Sequence, residues 1–194
     1  YQAEIDQVID HLVRDGRHQV AVVHIQDAYG EDGLRSSQAA LARHSLRPVA
    51  IAGVKRNSTN TAAAARQVVA ANANAVLVIA TFTSSASLSR DLSRLGSRAQ
   101  LMNLSPVGIE GLQDALPGGQ ANGIGISQVV PFPWNLRVPA VAHYQPLMHR
   151  QQKEARLTHS SLAVFLSARW VTAAPPQAGP HPSRPRLVAP YKTP

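Results

Sequence analysis

Residues 20–33 read VAVVHIQDAYGEDG, and this stretch decides the fold. Val20, Ala21, Val22, Val23 and Ile25 form an apolar run too continuous for a strand with one wet face. A strand of that kind is expected to be covered on both sides. Asp27 is placed to cap the following helix, Gly30 frees the backbone, and Glu31 and Asp32 suit the positive end of that helix. A strand-to-helix turn of this kind opens at the carboxyl edge of a parallel sheet, where α/β proteins bind ligands. Tyr29 stands in that turn, as lid or floor for a small molecule.

Outward from this stretch the pattern alternates. Ile5, Val8, Ile9, Leu12 and Val13 recur at helical spacing and Gly16 ends that helix. A helix over 31–44 precedes a second strand, PVAIAGV at 48–54. Ser58 and Thr59 or Thr61 are candidate caps for an alanine-rich helix over 62–71. AVLVIA at 75–80 predicts a third buried strand, 84–95 a helix stopped by Gly96, and QLMNL at 100–104 a fourth strand. A short helix over 109–116 and a fifth strand over 123–130 follow, the strand ending in the rigid PFPW of 131–134. Strands separated by helices imply right-handed crossovers, hence an α/β fold with a parallel sheet and helices on both faces. Beyond Trp134 the organisation changes. Residues 138–154 read as a helix with Val141, Tyr144 and Leu147 on one face and Pro146 inside it. The apolar helix over 161–173 needs a partner surface. From Pro175 onward seven of twenty residues are proline, which predicts a disordered tail. The expected organisation is a ligand-binding lobe over 1–134, two helices over 135–174 and a basic tail over 175–194.

Charge supports that division. Residues 1–134 hold 11 Lys/Arg and 10 Asp/Glu, whereas 135–194 hold 8 Lys/Arg and a single acid, Glu154. The first part is a nearly neutral domain and the basicity belongs to the end. Its basic residues are spread through proline-rich sequence without a dense cluster, so nucleic-acid binding is not the expected use. No run of 18 or more apolar residues occurs, and no membrane span is expected. The chain lacks an initiator Met and a signal peptide and reads as a mature or excised piece. The absence of cysteine removes disulfides and thiolate metal sites.

Other chemistries find little support. GGQANGIG at 118–125 precedes a strand and lacks the GxGxxG spacing of a dinucleotide loop. The histidines, His143 and His149 among them, form no HExxH, so no metal and no cofactor is expected. No GxSxG appears. Thr83, Ser84, Ser85 and Ser87 are expected to cap a helix and face solvent.

The helix–VAVVHIQDAYGEDG–helix unit resembles the second lobe of type I periplasmic binding proteins of the leucine/isoleucine/valine-binding family. KRNSTN at 55–60, AVLVIATF at 75–82, QLMNLSPVG at 100–108 and SQVVPFPW at 127–134 continue the resemblance in order over about residues 1–150. Members are solute receptors of ABC importers, with two Rossmann-like lobes that trap the ligand between them. The resemblance implies a periplasmic, non-enzymatic solute-binding component for amino acids or related small amides and carboxylates. Its partners are then a small-molecule ligand and the importer's membrane permease, with no nucleic acid and no insertion into the membrane.

The same resemblance assigns site residues. Tyr29 matches a ligand-contacting aromatic after the first strand of the lobe. Phe82 stands near a second aromatic position after the third strand, without a hydroxyl. Ser105 occupies the position where amino-acid binders place an acid for the ligand ammonium. With Tyr29, Phe82 and Ser105 lining the cleft, the ligand end facing this lobe is expected to be neutral or anionic. The first lobe, which supplies the carboxylate-binding groups in the family, has no counterpart here, and the helix over 161–173 resembles the crossing back towards it. Two rivals stand beside this reading: a cytoplasmic flavodoxin-like regulatory or enzyme domain, and a truncated product without function.

Overall fold

A computed structural model describes residues 1–151, 154, 156–178 and 183–185. The chain divides into two units, Tyr1–Val129 and the part from Val130 onward, so the PFPW segment belongs to the second.

In the first unit, α1 (Gln2–Arg14), β1 (Val20–Ile25), α2 (Ala28–Arg43), β2 (Ala50–Val54), α3 (Ala62–Ala70) and β3 (Ala75–Ile79) follow in turn. They lead into α4 (Phe82–Arg94), β4 (Gln100–Asn103), a 3-10 turn over Ser105–Val107, α5 (Ile109–Ala115) and β5 (Gly125–Ile126). The five strands are parallel in the order β2-β1-β3-β4-β5. Every residue of β1 is buried, as its apolar run requires.

Strand alternation sends β1 into two cores. Val20 and Val22 pack with Ile5, Val8, Ile9 and Leu12 of α1 and with Ala40 and Leu41 of α2. Ala21, Val23 and Ile25 pack on the other face with Ala64, Ala65 and Val68 of α3 and with Leu88 and Leu92 of α4. This is the α/β architecture with helices on both faces that the sequence predicts.

The boundaries differ in places, each for a local reason. α2 begins at Ala28 because Asp27 is its N-cap, its carboxylate accepting from the Gly30 N–H at 3.0 Å. α3 starts after Thr61, but the Thr61 hydroxyl caps nothing; it donates to Asp91 of α4 at 2.7 Å and ties the two helices together. β5 shrinks to Gly125–Ile126, paired with Met102 and Asn103.

The expectation that the hydroxyls of α4 face solvent is wrong. Ser84, Ser85 and Ser87 are buried. Ser85 donates to the Asn103 side chain at 2.6 Å and Ser87 to the Thr59 carbonyl at 2.6 Å. Small side chains let α4 lie close to its neighbours, and these hydrogen bonds offset the cost of burying Ser85 and Ser87.

The second unit contains α6 (Pro139–Gln151), with Pro146 inside it, and α7 (His159–Ala178). Val141, Tyr144, Leu157 and Leu162 form its buried cluster. α7 starts earlier than expected because Thr158 and Ser161 cap each other: the Ser161 N–H donates to Thr158 Oγ1 at 2.9 Å and the Thr158 N–H to Ser161 Oγ at 3.1 Å. It also runs past Ala173 to Ala178. Most of the expected proline-rich tail, residues 179–182 and 186–194, lies outside the described residues. Among the described residues no helix is long and apolar enough to cross a membrane.

Candidate functional site

In a parallel sheet all strand-to-helix turns open at one edge, so topology alone gathers the chain segments that follow β1, β3, β4 and β5. Tyr29 lies in the first turn of α2, Phe82 is the first residue of α4, and Ser105 opens the 3-10 turn after β4. All three therefore stand at the carboxyl edge of adjacent strands. Each has its own neighbours there.

Tyr29 is half-buried, packed against both cores, and its ring meets Tyr1 edge-on at 5.1 Å. Burial, with the nearby Tyr1 and Glu4 adding to it, pushes the Tyr29 hydroxyl up to about 12. Asp27 is held beneath the usual carboxylate range, first by the Gly30 N–H and then by Arg56 at 2.7 Å, which together outweigh the opposing effect of desolvation. Phe82 is 44% exposed at the edge. The inner side of its ring lies on Gly111 of α5, where an added Cβ would come within 3.0 Å of it.

Raising Tyr29 has a consequence for stability. Between its ordinary value of 10.0 and about 12 the unfolded chain has lost the phenol proton while the folded chain keeps it. Stability is unaffected below that window and falls as pH rises through it. For a half-exposed ring, solvent screening reduces the loss to about 1–2 kcal/mol. Denaturant midpoints measured across this window should fall more for the natural chain than for Tyr29→Phe. Equal slopes would show that Tyr29 titrates as in water.

Ser105 departs from its expected use. Its backbone N–H donates to Glu4 Oε1 at 2.6 Å, and the Ser127 hydroxyl donates to the same oxygen at 2.6 Å. A carboxylate from α1 thus stands beside the position where the sequence shows only a hydroxyl. Tyr29, Phe82 and Ser105 carry no charge among them, and Glu4 stands beside Ser105 as an acid the sequence reading did not place there. Sequence reasoning missed Glu4 and Ser127. The faint signal was a charged residue bordering the apolar stripe of α1, but its partners lie more than 100 residues along the chain.

Four buried side-chain atoms among the described residues lack a hydrogen-bond partner: Glu4 Oε2, Thr81 Oγ1, Ser84 Oγ and Asn103 Nδ2. All belong to α1's first turn, the β3–α4 turn and its first helical turn, or the end of β4. Buried polar groups are otherwise satisfied almost everywhere in folded proteins. Among the described residues no group of three or more His, Asp or Glu side chains is placed to hold a metal ion.

This polar sheet edge is the kind of surface on which an α/β lobe holds a small ligand. The periplasmic binding protein family matches over residues 1–193, and the chain belongs to that family. A substrate-binding periplasmic protein from Ralstonia solanacearum is similar, with 28% identity and a TM-score of 0.85 over 96% of this chain and 53% of its own. A possible leucine/isoleucine/valine-binding protein from Rhodopirellula baltica SH 1 shares 27% identity with a TM-score of 0.88, over 97% of this chain and 53% of its own. An extracellular ligand-binding receptor from Verminephrobacter eiseniae shares 26% identity with a TM-score of 0.85, over 99% and 55%. The chain therefore spans about half the length of these structures. Among curated proteins none matches it.

Proposed function

We propose that this chain is the second lobe of a periplasmic solute receptor that delivers amino acids, or related small amides and carboxylates, to the permease of an ABC importer. The observation that carries the reading is the family match over residues 1–193 on a fold whose carboxyl edge carries Tyr29, Phe82 and Ser105 together. Similar chains from Ralstonia solanacearum and Rhodopirellula baltica are described as substrate-binding and as possibly leucine/isoleucine/valine-binding, which supports the solute class. The receptor works by closing two lobes about hinges over the solute and performs no chemistry on it. In this arrangement α7 crosses back towards the first lobe.

The flavodoxin-like rival needs free acids at the strand ends. Asp27 is already committed to the Gly30 N–H and to Arg56, which disfavours that use.

In the two-lobed receptor, Tyr29→Ala and Phe82→Ala should each weaken solute binding about tenfold or more, since each removes most of an aromatic contact. Titration calorimetry checks this. Unchanged affinity in both variants would remove the two rings from the site.

A further inference from the structure

The glycine-rich turn over 117–123 leads into β5, so it lies at the sheet's amino edge, opposite the turns that carry Tyr29, Phe82 and Ser105. Of the seven asparagines in the chain, Asn122 alone is followed by glycine. Asn122 and Gly123 are both exposed. Among the described residues, neither the Asn122 side-chain amide nor the Gly123 N–H takes a hydrogen bond. The turn itself is held only by short-range bonds, from the Asn122 N–H to the Gly119 carbonyl at 2.9 Å and from the Ile124 N–H to the Ala121 carbonyl at 3.2 Å. Gly118, Gly119 and Gly123 all have positive φ, so the backbone turns here where no helix or strand resists its rotation.

We infer that Asn122 is a self-modifying site, converting without an enzyme to aspartate and isoaspartate through a cyclic imide formed with Gly123. The Gly123 nitrogen gives its proton to a solvent base and attacks Cγ of Asn122, closing a five-membered ring. The Cγ–Nδ2 bond breaks and ammonia leaves. One water then opens the ring. Cleavage of the N–Cγ bond leaves aspartate, whereas cleavage of the original peptide bond leaves isoaspartate, with the chain running through Cβ and Cγ. Glycine is the residue that permits this, because no Cβ stands beside the attacking nitrogen.

The product alters its surroundings. The Gly123 carbonyl accepts from Gln100 Nε2 at 2.6 Å, and Gln100 begins β4. Isoaspartate adds a methylene to the chain directly before that carbonyl, and the strand that follows, β5, is only Gly125–Ile126. So short a strand cannot absorb the displacement, and the tie between Gln100 and Gly123 is lost. Asn122 also borders a small cavity of about 260 Å³ walled by Ile109, Leu112, Ile124 and Ile126. Either product places a carboxylate beside those apolar walls, where the charge is poorly solvated. The converted chain is therefore loosened where β5 joins β4.

The test incubates this chain, folded, at mildly alkaline pH and body temperature. The peptide released by cleavage after Arg98 and Arg137 is followed by mass spectrometry, with fragmentation that separates aspartate from isoaspartate. Asn122 should convert about tenfold faster than any other asparagine, each of which precedes a residue with a Cβ. Both products should form, the rate should rise with pH, and it should be similar in a free peptide of residues 118–125. Gly123→Asn, a residue that tolerates positive φ, places a Cβ at the nitrogen and should slow conversion about tenfold. The Gln100 side-chain amide signals should shift as the natural chain ages and stay in place in Asn122→Ser. Conversion at other asparagines with Asn122 intact, or aspartate without isoaspartate, overturns the inference. So does a folded chain that stays unmodified while the free peptide converts, since the turn would then protect Asn122. Unmoved Gln100 signals in a fully converted chain overturn the loosening of β5.

Discussion

Gly30→Ala should cost this fold about 3–5 kcal/mol, a large share of the stability of a typical domain. A Cβ on Gly30 would lie 1.8 Å from the Ile25 carbonyl oxygen, 2.7 Å from its carbon and 2.9 Å from the Ile25 nitrogen. Those atoms are backbone at the end of β1, and they cannot rotate away as a side chain does. The turn is also pinned from the other side, since the Gly30 N–H is the donor that Asp27 caps. Relief would require moving α2 off β1, which breaks the packing of Ala40 and Leu41 on Val20 and Val22. Gly33→Ala is the natural control. Its Cβ would meet Ile79 Cδ1 and Cγ2 at 2.8 Å, a packed side chain instead of backbone, so its cost should be smaller, about 1–3 kcal/mol. Urea denaturation of both variants separates the two. A Gly30→Ala midpoint equal to that of the natural chain would contradict this account of the turn.

The same turn shows what the sequence makes legible. The continuous apolar run before it specifies a strand buried on both faces, and Asp27 and Gly30 specify the helix start; both follow from local chemistry. The parallel sheet follows from strands separated by helices. What the sequence hides is where polar side chains go. Serine counts as polar in any pattern, yet Ser85 is buried because Asn103 accepts its hydroxyl from 18 residues away. Thr61 reads as a cap, but Asp91 lies within reach only after α3 and α4 have packed. Glu4 is the sharpest case. On its own helix it is one more solvated acid, and only the folded sheet brings Ser105 and Ser127 to it. Tyr29, Phe82 and Ser105 were identifiable as edge residues through their place after strands. The charge of that edge was not.

A single lobe presents half of a cleft, and a solute resting on it keeps much of its hydration and leaves groups such as Glu4 Oε2 and Asn103 Nδ2 unmatched. Small-molecule sites normally bury most of the ligand surface. Closure by a first lobe should therefore strengthen binding about a thousandfold, roughly 4 kcal/mol, from millimolar to micromolar. Most of that gain should come from buried solute surface and newly matched polar groups, with no change in the fold of the first unit.

The most direct measurement is titration calorimetry with a panel of branched-chain amino acids, small amides and small carboxylates. It is run once on this chain alone and once on the receptor reassembled with a first lobe. The single lobe should bind at best at millimolar affinity, the two-lobed receptor should bind at least one panel member at micromolar affinity, and neither should turn the solute over. Micromolar binding by this chain alone, or chemical conversion of any panel member, would contradict it.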